Sequence, residues 1–428
     1  MQRLIFRQHT ARFALLPLGC GLLLASLLAQ EGNVLQADKL DTKEESRLRE
    51  YQYGKKSIES DNPQEKAEIK QLLEKASKYH AYRLTWPRYQ GEAVLDDTSK
   101  GDTKTMHMLV QETCQLVVVY DPTRKPVDPA QFSRQLEFSR EFGRLLAGDL
   151  RKVLKNDKPI TRINGARILA HLGRAGIEEA VDPLVEILQD PNENDAVKLY
   201  ACRGLKDFLA VKQPDRKREQ AVIQALVELV KQRAATGTGV VEEDDAIRYV
   251  RREALRALAE SRYPNAAASG KAEDATAYWL LRVARRDRLQ PEPSLAEQLE
   301  AAIGVCKLLP KLSKDYNLEA AAHHVGRFIV DFAGQSSNRA PGVPWKVYAA
   351  RLSAALDELQ ARAAGLPAEK KIAQMVPLAK AALEPLEKGG NANPAALERW
   401  LDANPPANQV VFTGIPDSVV RSPDAGGN

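Results

Sequence analysis

Apolar residues recur at helical spacing in residues 160–190, which read ITRINGARILAHLGRAGIEEAVDPLVEILQD. The second half of this stretch is amphipathic, because its apolar side chains fall on one side of a helix that turns about 100° per residue. These side chains are Ile177, Ala180, Val181, Leu184, Val185, Ile187 and Leu188. The opposite side carries four acids, Glu178, Glu179, Asp182 and Glu186. The pattern predicts a helix that ends before Pro191.

The first half of the stretch predicts a different kind of helix. Its apolar residues cover a wider arc and are Ile163, Ala166, Leu169, Ala170 and Leu172. A helix that is apolar over a wide arc is covered by more than one neighbour, as in a stack of helix pairs. We therefore interpret residues 160–190 as a helical hairpin that forms one unit of a larger array.

The same periodicity continues on both sides of the hairpin and favours an all-α fold. Further helices are predicted over 129–155, 194–210, 216–233, 244–260, 272–287, 294–310, 317–333, 345–363 and 368–387. Aromatic residues make up only 6% of the chain, and Ala and Leu supply most of the apolar content. That composition favours helices over sheets.

The two ends of the chain have a different pattern. Residues 30–62 are polar and are predicted to be a linker, after which Asp61 or Asn62 caps a helix that begins at Pro63. Residues 63–128 form a helical or mixed segment in which 116–120 fit either a short strand or a buried helix end. Residues 391–428 are rich in Pro, Gly and Asn, and they predict a disordered tail with one short helix near 395–401.

Three of the predicted helices, each the first of a helix pair, share an internal pattern. The segments TRINGARIL, VKLYACRGL and VRREALRAL place a basic residue at Arg162, Lys198 and Arg251. In each, Gly or Ala follows three residues later and Leu seven residues later. The spacing from Lys198 to Arg251 is longer than that from Arg162 to Lys198. The loop at 233–245, which has the character of an insertion, accounts for the difference. We expect the three basic residues to form a ladder that bonds acids or carbonyls of adjacent units; a basic ligand-binding stripe is the alternative.

This pattern resembles the HEAT-repeat family, whose short units are built on V-R-x-x-A-A-x-A-L. The closest match is VRREALRAL, and GIEEAVDPLVEILQD is similar to the second helix of such units. The resemblance is clear over 160–260 and weaker over 129–160 and 272–388. It implies a right-handed α-α superhelix over 129–390 that acts as a protein-binding scaffold. It further implies a groove lined by second helices, so that Glu178, Glu179, Asp182 and Glu186 form a partner-binding acidic strip.

The first 29 residues have the pattern of a secretory signal. Arg3, Arg7 and Arg12 precede an uncharged apolar run over 13–29, with cleavage expected after Ala29. Retention of the run as a membrane anchor and lipidation at Cys20 are the alternatives. Each of the three exports the remainder of the chain, to the periplasm, the cell envelope or the medium.

Export changes the interpretation of the charge. The full chain carries a net charge of +5, and loss of the three arginines in residues 1–29, which contain no acid, leaves +2. A nearly neutral mature chain gives no reason to expect nucleic-acid binding. The expected partner is a protein, with membrane contact only through an uncleaved N-terminal segment.

The sequence offers few residues for catalysis or metal binding. The chain has no phosphate-binding loop, nucleophile elbow or metal-spaced histidine motif, and the adjacent His323 and His324 point about 100° apart on a helix. The acids in VVEEDDA at 240–246 lack the alternation of a calcium loop. The cysteines beyond the signal, Cys114, Cys202 and Cys306, are expected to be small buried residues. We therefore expect neither catalysis nor a cofactor.

Two alternative functions remain open at this stage. Some HEAT-like families contain lyases that attach pigments, so a lyase or a small-molecule carrier is one alternative. A structural component of the cell envelope is the other.

Aromatic residues concentrate in SKYHAYRLTWPRYQ at 77–90. Tyr79, Tyr82, Trp86 and Tyr89 lie three or four residues apart, with Arg83 and Arg88 at their edge. The group either docks the N-terminal segment on the array or forms a platform for a glycan or peptide.

Overall fold

The computed structural model describes residues 34–90, 104–120, 126–211, 216–233, 237, 239–264, 275–287, 289–336, 342–409 and 411. Within these residues all regular secondary structure is helical, with sixteen α-helices, three short 3-10 turns and no strand. The predicted all-α class is confirmed. The predicted signal segment 1–29 and the last part of the tail, 412–428, lie outside the described residues.

The first five helices are α1 (Thr42–Gln52), α2 (Pro63–Tyr82), α3 (Pro87–Gln90), α4 (Met106–Gln115) and α5 (Pro129–Val153). The next five are α6 (Pro159–Arg174), α7 (Val181–Gln189), α8 (Asp195–Val211), α9 (Arg216–Arg233) and α10 (Val241–Ser261). The last six are α11 (Thr276–Ala284), α12 (Leu295–Lys307), α13 (Leu318–Ser336), α14 (Trp345–Ala363), α15 (Glu369–Glu387) and α16 (Ala395–Ala403).

The predicted polar linker at 30–62 contains a packed helix in the part that the structure describes. Helix α1 occupies its centre and begins with a capping box in which Asp41 and Glu44 each accept from the other's backbone N–H. Leu48 and Tyr51, three residues apart, bury on the array. Asn62, as predicted, caps α2 ahead of Pro63. The apolar face of α1 is short, and the many charged residues around it make it difficult to recognise in the sequence.

Of the two alternatives for residues 116–120, there is no strand, and the start of the segment is a buried helix end. Leu116 is the C-cap of α4 with helical backbone angles, and Leu116 and Val117 are both buried. The Val118 N–H donates to Ser139 Oγ at 3.0 Å, so a side chain of α5 takes the place of a neighbouring strand.

The helices from α6 to α15 form two rows. Each helix from α6 to α13 contacts the helix two positions further along the chain. One row contains α6, α8, α10, α12 and α14, which we call the first helices. The other contains α7, α9, α11, α13 and α15, which we call the second helices. Over 159–307 the contacts between consecutive first helices are more extensive than those between consecutive second helices.

The closest approach between first helices lies where α6 meets α8. A Cβ atom on Gly173 would stand 2.5 Å from the carbonyl oxygen of Gly204. One on Gly204 would stand 2.8 Å from the Cα of Ala170. Real Cβ atoms do not approach other atoms this closely, so only glycine permits this backbone contact.

The basic residues at the repeated position bond loops and acids between units, as predicted. Arg162 donates to Glu193 at 3.0 Å and to the carbonyls of Asn156 and Asp157. Lys198 is buried, and its Nζ reaches the Pro191 carbonyl at 3.4 Å.

Arg251 forms the most buried ion pair of the described chain. Its guanidinium donates to Glu297 at 2.6 Å, and both side chains have no exposed surface. The remaining donors reach the carbonyls of Arg233 and Pro291 at 3.1 and 2.9 Å. Glu297 also closes the capping box of α12 with Ser294, so the pair joins α10 to the start of the next first helix.

The short helix predicted near 395–401 is confirmed as α16, and the described residues that follow it also contact the array. Helix α16 packs against α13 and α15, with Leu397 and Leu401 fully buried. Beyond it, the backbone and side chain of Asn317 donate to the carbonyls of Val411 and Asn408. Two leucines four residues apart give α16 a narrow apolar face. This face is enough to hold α16 in place, because it packs on a helix pair that is already formed.

Among the described residues, no helix combines the length and the apolar character that crossing a bilayer requires.

Candidate interaction surface

The four acids of the predicted strip lie together on the turn at Glu178–Ala180 and on α7. Basic side chains of neighbouring helices accompany three of them. Glu186 pairs with Arg151 of α5 at 2.9 Å. Glu178 and Asp182 face Arg218 of α9 at 3.0 and 3.5 Å. The fourth member, Glu179, is exposed.

The strip is therefore part of a mixed surface and not a uniformly negative one. Its pairs are partly solvated, with 60% of the Glu186 side chain and 53% of the Asp182 side chain exposed. Pairs of this kind hold their partners weakly and exchange them readily. The partner-binding role of the strip stays a prediction.

A second charged surface lies on the first helices. Its cations are five partly exposed arginines: Arg167 on α6, Arg203 on α8, Arg252 and Arg256 on α10, and Arg351 on α14. Two tyrosines, Tyr200 and Tyr249, lie among them. We call these seven side chains the arginine stripe.

Three of the arginines occupy one repeated position. Arg167, Arg203 and Arg256 each follow the ladder residue of their own helix by five positions. Each contacts the residue three positions before it. The pairs are Arg167 with Asn164 (3.0 Å), Arg203 with Tyr200 (5.7 Å from Cζ to the ring centroid) and Arg256 with Glu253 (2.7 Å).

The same three arginines also reach across to the next first helix. The contacts are Arg167 with Tyr200 (5.7 Å to the ring centroid), Arg203 with Glu253 (3.7 Å) and Arg256 with Glu300 (2.5 Å). Arg351 completes the series from α14, donating to both oxygens of Glu300 at 2.8 and 2.6 Å. One bridging contact is thus repeated across five helices.

Two buried carboxylates form ion pairs with arginines of the stripe from the interior side. Only 2% of the Glu253 side chain and 5% of the Glu300 side chain are exposed. Burial alone would raise the pKa of Glu300, but hydrogen bonds from Arg351 and Arg256 outweigh it and hold the pKa below its ordinary value. Glu300 is therefore a charged acceptor that fixes two guanidinium groups.

Sequence reasoning missed this surface although its signal was present. The arginine five positions after the ladder residue is visible in TRINGARIL, VKLYACRGL and VRREALRAL. The family pattern marks the ladder position, which faces inward, and does not mark the position of these arginines. Arg351 and Glu300 lie outside the legible repeats, so only the fold places them here.

The aromatic concentration at 77–90 mainly docks the N-terminal segment. Tyr79, Tyr82 and Tyr89 are buried. The Tyr82 hydroxyl donates to Asp149 of α5 at 3.0 Å, and Ser77 donates to the same carboxylate. The alternative of an open platform is wrong for these tyrosines, because their ring surfaces are covered.

A buried arginine and histidine complete this N-terminal interface. Arg83 is 1% exposed; it pairs with Glu112 at 3.2 Å and contacts His80 Nδ1 at 2.9 Å. Burial, and next the charge of Arg83, hold the pKa of His80 well below its usual range. The neutral ring accordingly presents Nδ1 as an acceptor.

The adjacent histidines of α13 do not face a common ligand. His323 Nε2 contacts the Leu401 carbonyl at 3.2 Å. Burial lowers the pKa of His324 to about 3, which keeps its ring neutral. The described residues contain no group of three or more His, Cys, Asp or Glu side chains placed to hold a metal ion.

The three cysteines that the structure describes are unpaired, as expected for small packed residues. Cys202 and Cys306 are buried and Cys114 is half-buried. Burial raises the pKa of Cys114 to about 11 and that of Cys306 to about 12, so neither is a reactive thiolate at neutral pH.

A comparison with protein-family models, with curated proteins and with solved structures finds no match to this chain. The functional argument accordingly rests on the geometry of the described residues.

Proposed function

We propose that this chain is an exported helical-repeat protein of HEAT type, a right-handed α-α superhelix that serves as a scaffold for a protein partner. In this proposal it acts by binding, without catalysis and without a cofactor. Residues 1–29 direct its export, and the two rows of helices provide the binding surface.

The contact pattern of the helices supports the repeat assignment. A stack of helix pairs brings each helix against its neighbour two positions along the chain, and α6 to α13 all make that contact. The ladder residues Arg162, Lys198 and Arg251 take equivalent places in successive pairs. A compact bundle has no reason to repeat one polar contact along the chain.

The arginine stripe is the observation that carries a binding function. It extends over five helices. A shallow cleft between α13, α15 and α16 has about 240 Å³ of space, part of it open to solvent, and within it Glu319 and Lys371 already pair at 2.6 Å. A long shallow surface suits a macromolecule, whereas a small-molecule site is concave and enclosed.

Site-specific photocrosslinking in the native cell tests the proposal. A photoreactive residue replaces Tyr249 on the first helices, Asp182 on the acidic strip, or Lys388 at the exposed end of α15 as the control. We expect a discrete protein adduct from Tyr249 or Asp182 and none from Lys388. The absence of an adduct from both surface positions, or an equal smear from all three, would contradict a protein-binding scaffold.

Localisation is tested separately by cell fractionation. We expect the full-length chain to be exported and to remain inside the cell when residues 3, 7 and 12 are changed from arginine to glutamate. Export that is unaffected by this change would contradict the assigned signal.

A further inference from the structure

We propose that the arginine stripe binds an acidic segment of the partner in extended conformation. The inference rests on the proposed scaffold function and adds the surface and the chemistry of its ligand. It moves the main binding surface from the predicted acidic strip on α7 to the row of first helices.

The stripe has an excess of positive charge. Its five arginines have two carboxylates beneath them, Glu253 and Glu300, so three positive charges are not balanced within the group. Three further acids on these helices have cations of their own. These pairs are Asp207 with Lys206, Glu260 with Lys307, and Glu358 with Arg362. The excess therefore faces solvent and attracts anions.

The guanidinium groups are held in place before any ligand arrives. Arg256 bridges Glu253 and Glu300, and Arg351 grips Glu300 with two parallel hydrogen bonds. A planar guanidinium has five donors, so groups anchored in this way keep further N–H groups for a second carboxylate. Fixing these side chains in advance lowers the entropy cost of binding.

The first helices pack against one another along the stripe. Each contacts the next first helix along the chain, from α6 to α14. Gly173 and Gly204 remove the side chains that would hold α6 and α8 apart. The stripe thus crosses several adjacent helices, so that one extended chain can contact several of them at once.

The dimensions fit an extended polypeptide. Four intervals of about 8–10 Å separate five packed helices, which gives a length of about 32–40 Å. An extended chain advances about 3.3 Å per residue, so about 10–12 residues span the stripe. Side chains on one edge of such a strand recur about every 7 Å, close to the helix spacing.

The tyrosines favour a peptide over single-stranded nucleic acid. Proteins that bind single strands offer free aromatic faces on which bases stack. Here Tyr249 has the guanidinium of Arg252 at 4.4 Å from its centroid. Tyr200 has those of Arg167 and Arg203 at 5.7 Å each. Their π-faces are already engaged by cations.

Fluorescence anisotropy on the mature chain tests the inference. The probe is a labelled peptide of about 12 residues that alternates Glu with Ser, a length set by the extended-chain rise. The controls are the same peptide with Gln for Glu and a single-stranded oligonucleotide of equal charge. We expect the Glu peptide to bind, the Gln peptide not to bind, the oligonucleotide to bind more weakly than the Glu peptide, and affinity to fall with salt.

Arginine variants locate the binding. Arg203→Gln and Arg252→Gln should each weaken binding about two- to fivefold, because each removes one partly exposed charge contact. Arg144→Gln is the matched control, since Arg144 pairs with Glu141 on α5, away from the stripe. Thermal unfolding of each variant confirms that it is folded. An affinity that ignores the stripe arginines, or that is higher for the oligonucleotide, overturns the inference.

The two proposals fail in different ways. Crosslinked protein at position 182 alone, without binding of the Glu peptide, leaves the scaffold function standing and overturns the inference. Peptide binding that depends on the stripe, without any crosslinked protein in the cell, supports the surface and overturns the scaffold function.

Discussion

The ladder residues and three arginines of the stripe, Arg167, Arg203 and Arg256, form two rows of cations on the same helices, five positions apart. Five residues at about 100° each place the two rows about 140° apart around the helix. Arg251 faces inward and bonds a buried carboxylate and two loop carbonyls. Arg256 faces outward over Glu253 and Glu300, with 31% of its side chain exposed. Similar cations thus link helices in the interior in one row and remain accessible to solvent in the other.

The difference teaches that burial of the cation, and not of its acid, separates the two roles. Glu297 and Glu253 are almost equally buried. The guanidinium of Arg251 is sealed from solvent, whereas that of Arg256 keeps access to it. Variants in the two rows should therefore separate stability from binding.

The largest expected effect is a loss of stability when the ladder residue Arg251 is replaced. Arg251→Met leaves Glu297 buried without its cation and should lower the free energy of unfolding by about 3–5 kcal/mol. Urea unfolding measures this loss. Adding Glu297→Gln should restore part of it, because the amide keeps a capping-box acceptor without the buried charge.

Lys198→Met is the matched control for this variant. Burial, and next Arg233, lower the pKa of Lys198 against the opposing charges of nearby acids, and among the described residues its Nζ makes one long hydrogen bond, to the Pro191 carbonyl. The methionine should cost less than about 1 kcal/mol, since it removes a poorly compensated charge. Equal losses from the two variants would contradict the distinction between a paired and an unpaired ladder residue.

Close packing of the first helices gives the second largest effect. In Gly204→Ala the new methyl group meets the backbone of Ala170 and a methyl of Leu184, each at 2.8 Å. We expect a loss of about 2–3 kcal/mol from overpacking, measured by urea unfolding. It should also weaken binding to the stripe by pushing α6 from α8.

Gly148→Ala provides the control, because nothing lies within 4 Å of its added Cβ on α5. Alanine should stabilise the chain there by up to about 1 kcal/mol. A Gly204 variant that is as stable as the Gly148 variant would show that the backbone contact is dispensable.

Glu300→Gln should change the free energy of unfolding by an amount that depends on pH. The folded pKa of Glu300 lies below the ordinary value of 4.5, so the carboxylate stabilises the fold above that value and ceases to do so as pH falls through the folded pKa. We expect a loss of about 1.5 kcal/mol near neutral pH, from weaker bonds to Arg256 and Arg351. The difference from wild type should shrink below pH 4.5.

Unfolding experiments across this pH range test the expectation, with Glu384→Gln as the control. Glu384 pairs with Lys388 on the surface of α15, where water screens the charges. A difference between the Glu300 variant and wild type that is constant with pH would contradict a charged Glu300 in the fold.

The smallest effect belongs to the acidic strip. Glu186→Gln removes an exposed pair with Arg151 and should change the free energy of unfolding by no more than about 0.5 kcal/mol. Reversal of all four strip charges should leave the Glu-peptide affinity unchanged. A large drop in affinity would make the strip part of the binding surface.

Hydrophobic periodicity alone predicts most of the array. The helices at 195–211, 216–233 and 345–363 lie within a residue of their predicted bounds, because each has a long apolar face and a clear stop. Helix α1 is not predicted by the sequence, and α16 is predicted only as a short helix outside the packed array. Their buried sets, Leu48 with Tyr51 and Leu397 with Leu401, are too small to stand out from polar surroundings.

The surface could be predicted only in part. The arginines at 167, 203 and 256 repeat in sequence, so a comparison of the three segments suffices to find them. The meeting of Arg256 and Arg351 at Glu300 depends on α10 and α14 flanking α12, which no local pattern encodes. The distance from Arg203 to Glu253 likewise depends on helix spacing.

Helix α16 has a consequence for how many ligands one molecule engages. Leu401 fills the space above Gly326, so the last helix pair is covered by the chain's own residues. At the other end, α2 lies on α5 and α4 lies on α6. A stack with both ends covered cannot lengthen by adding further copies end to end. In the proposed binding mode the row of first helices therefore stays five helices long, so that each molecule holds a single extended segment.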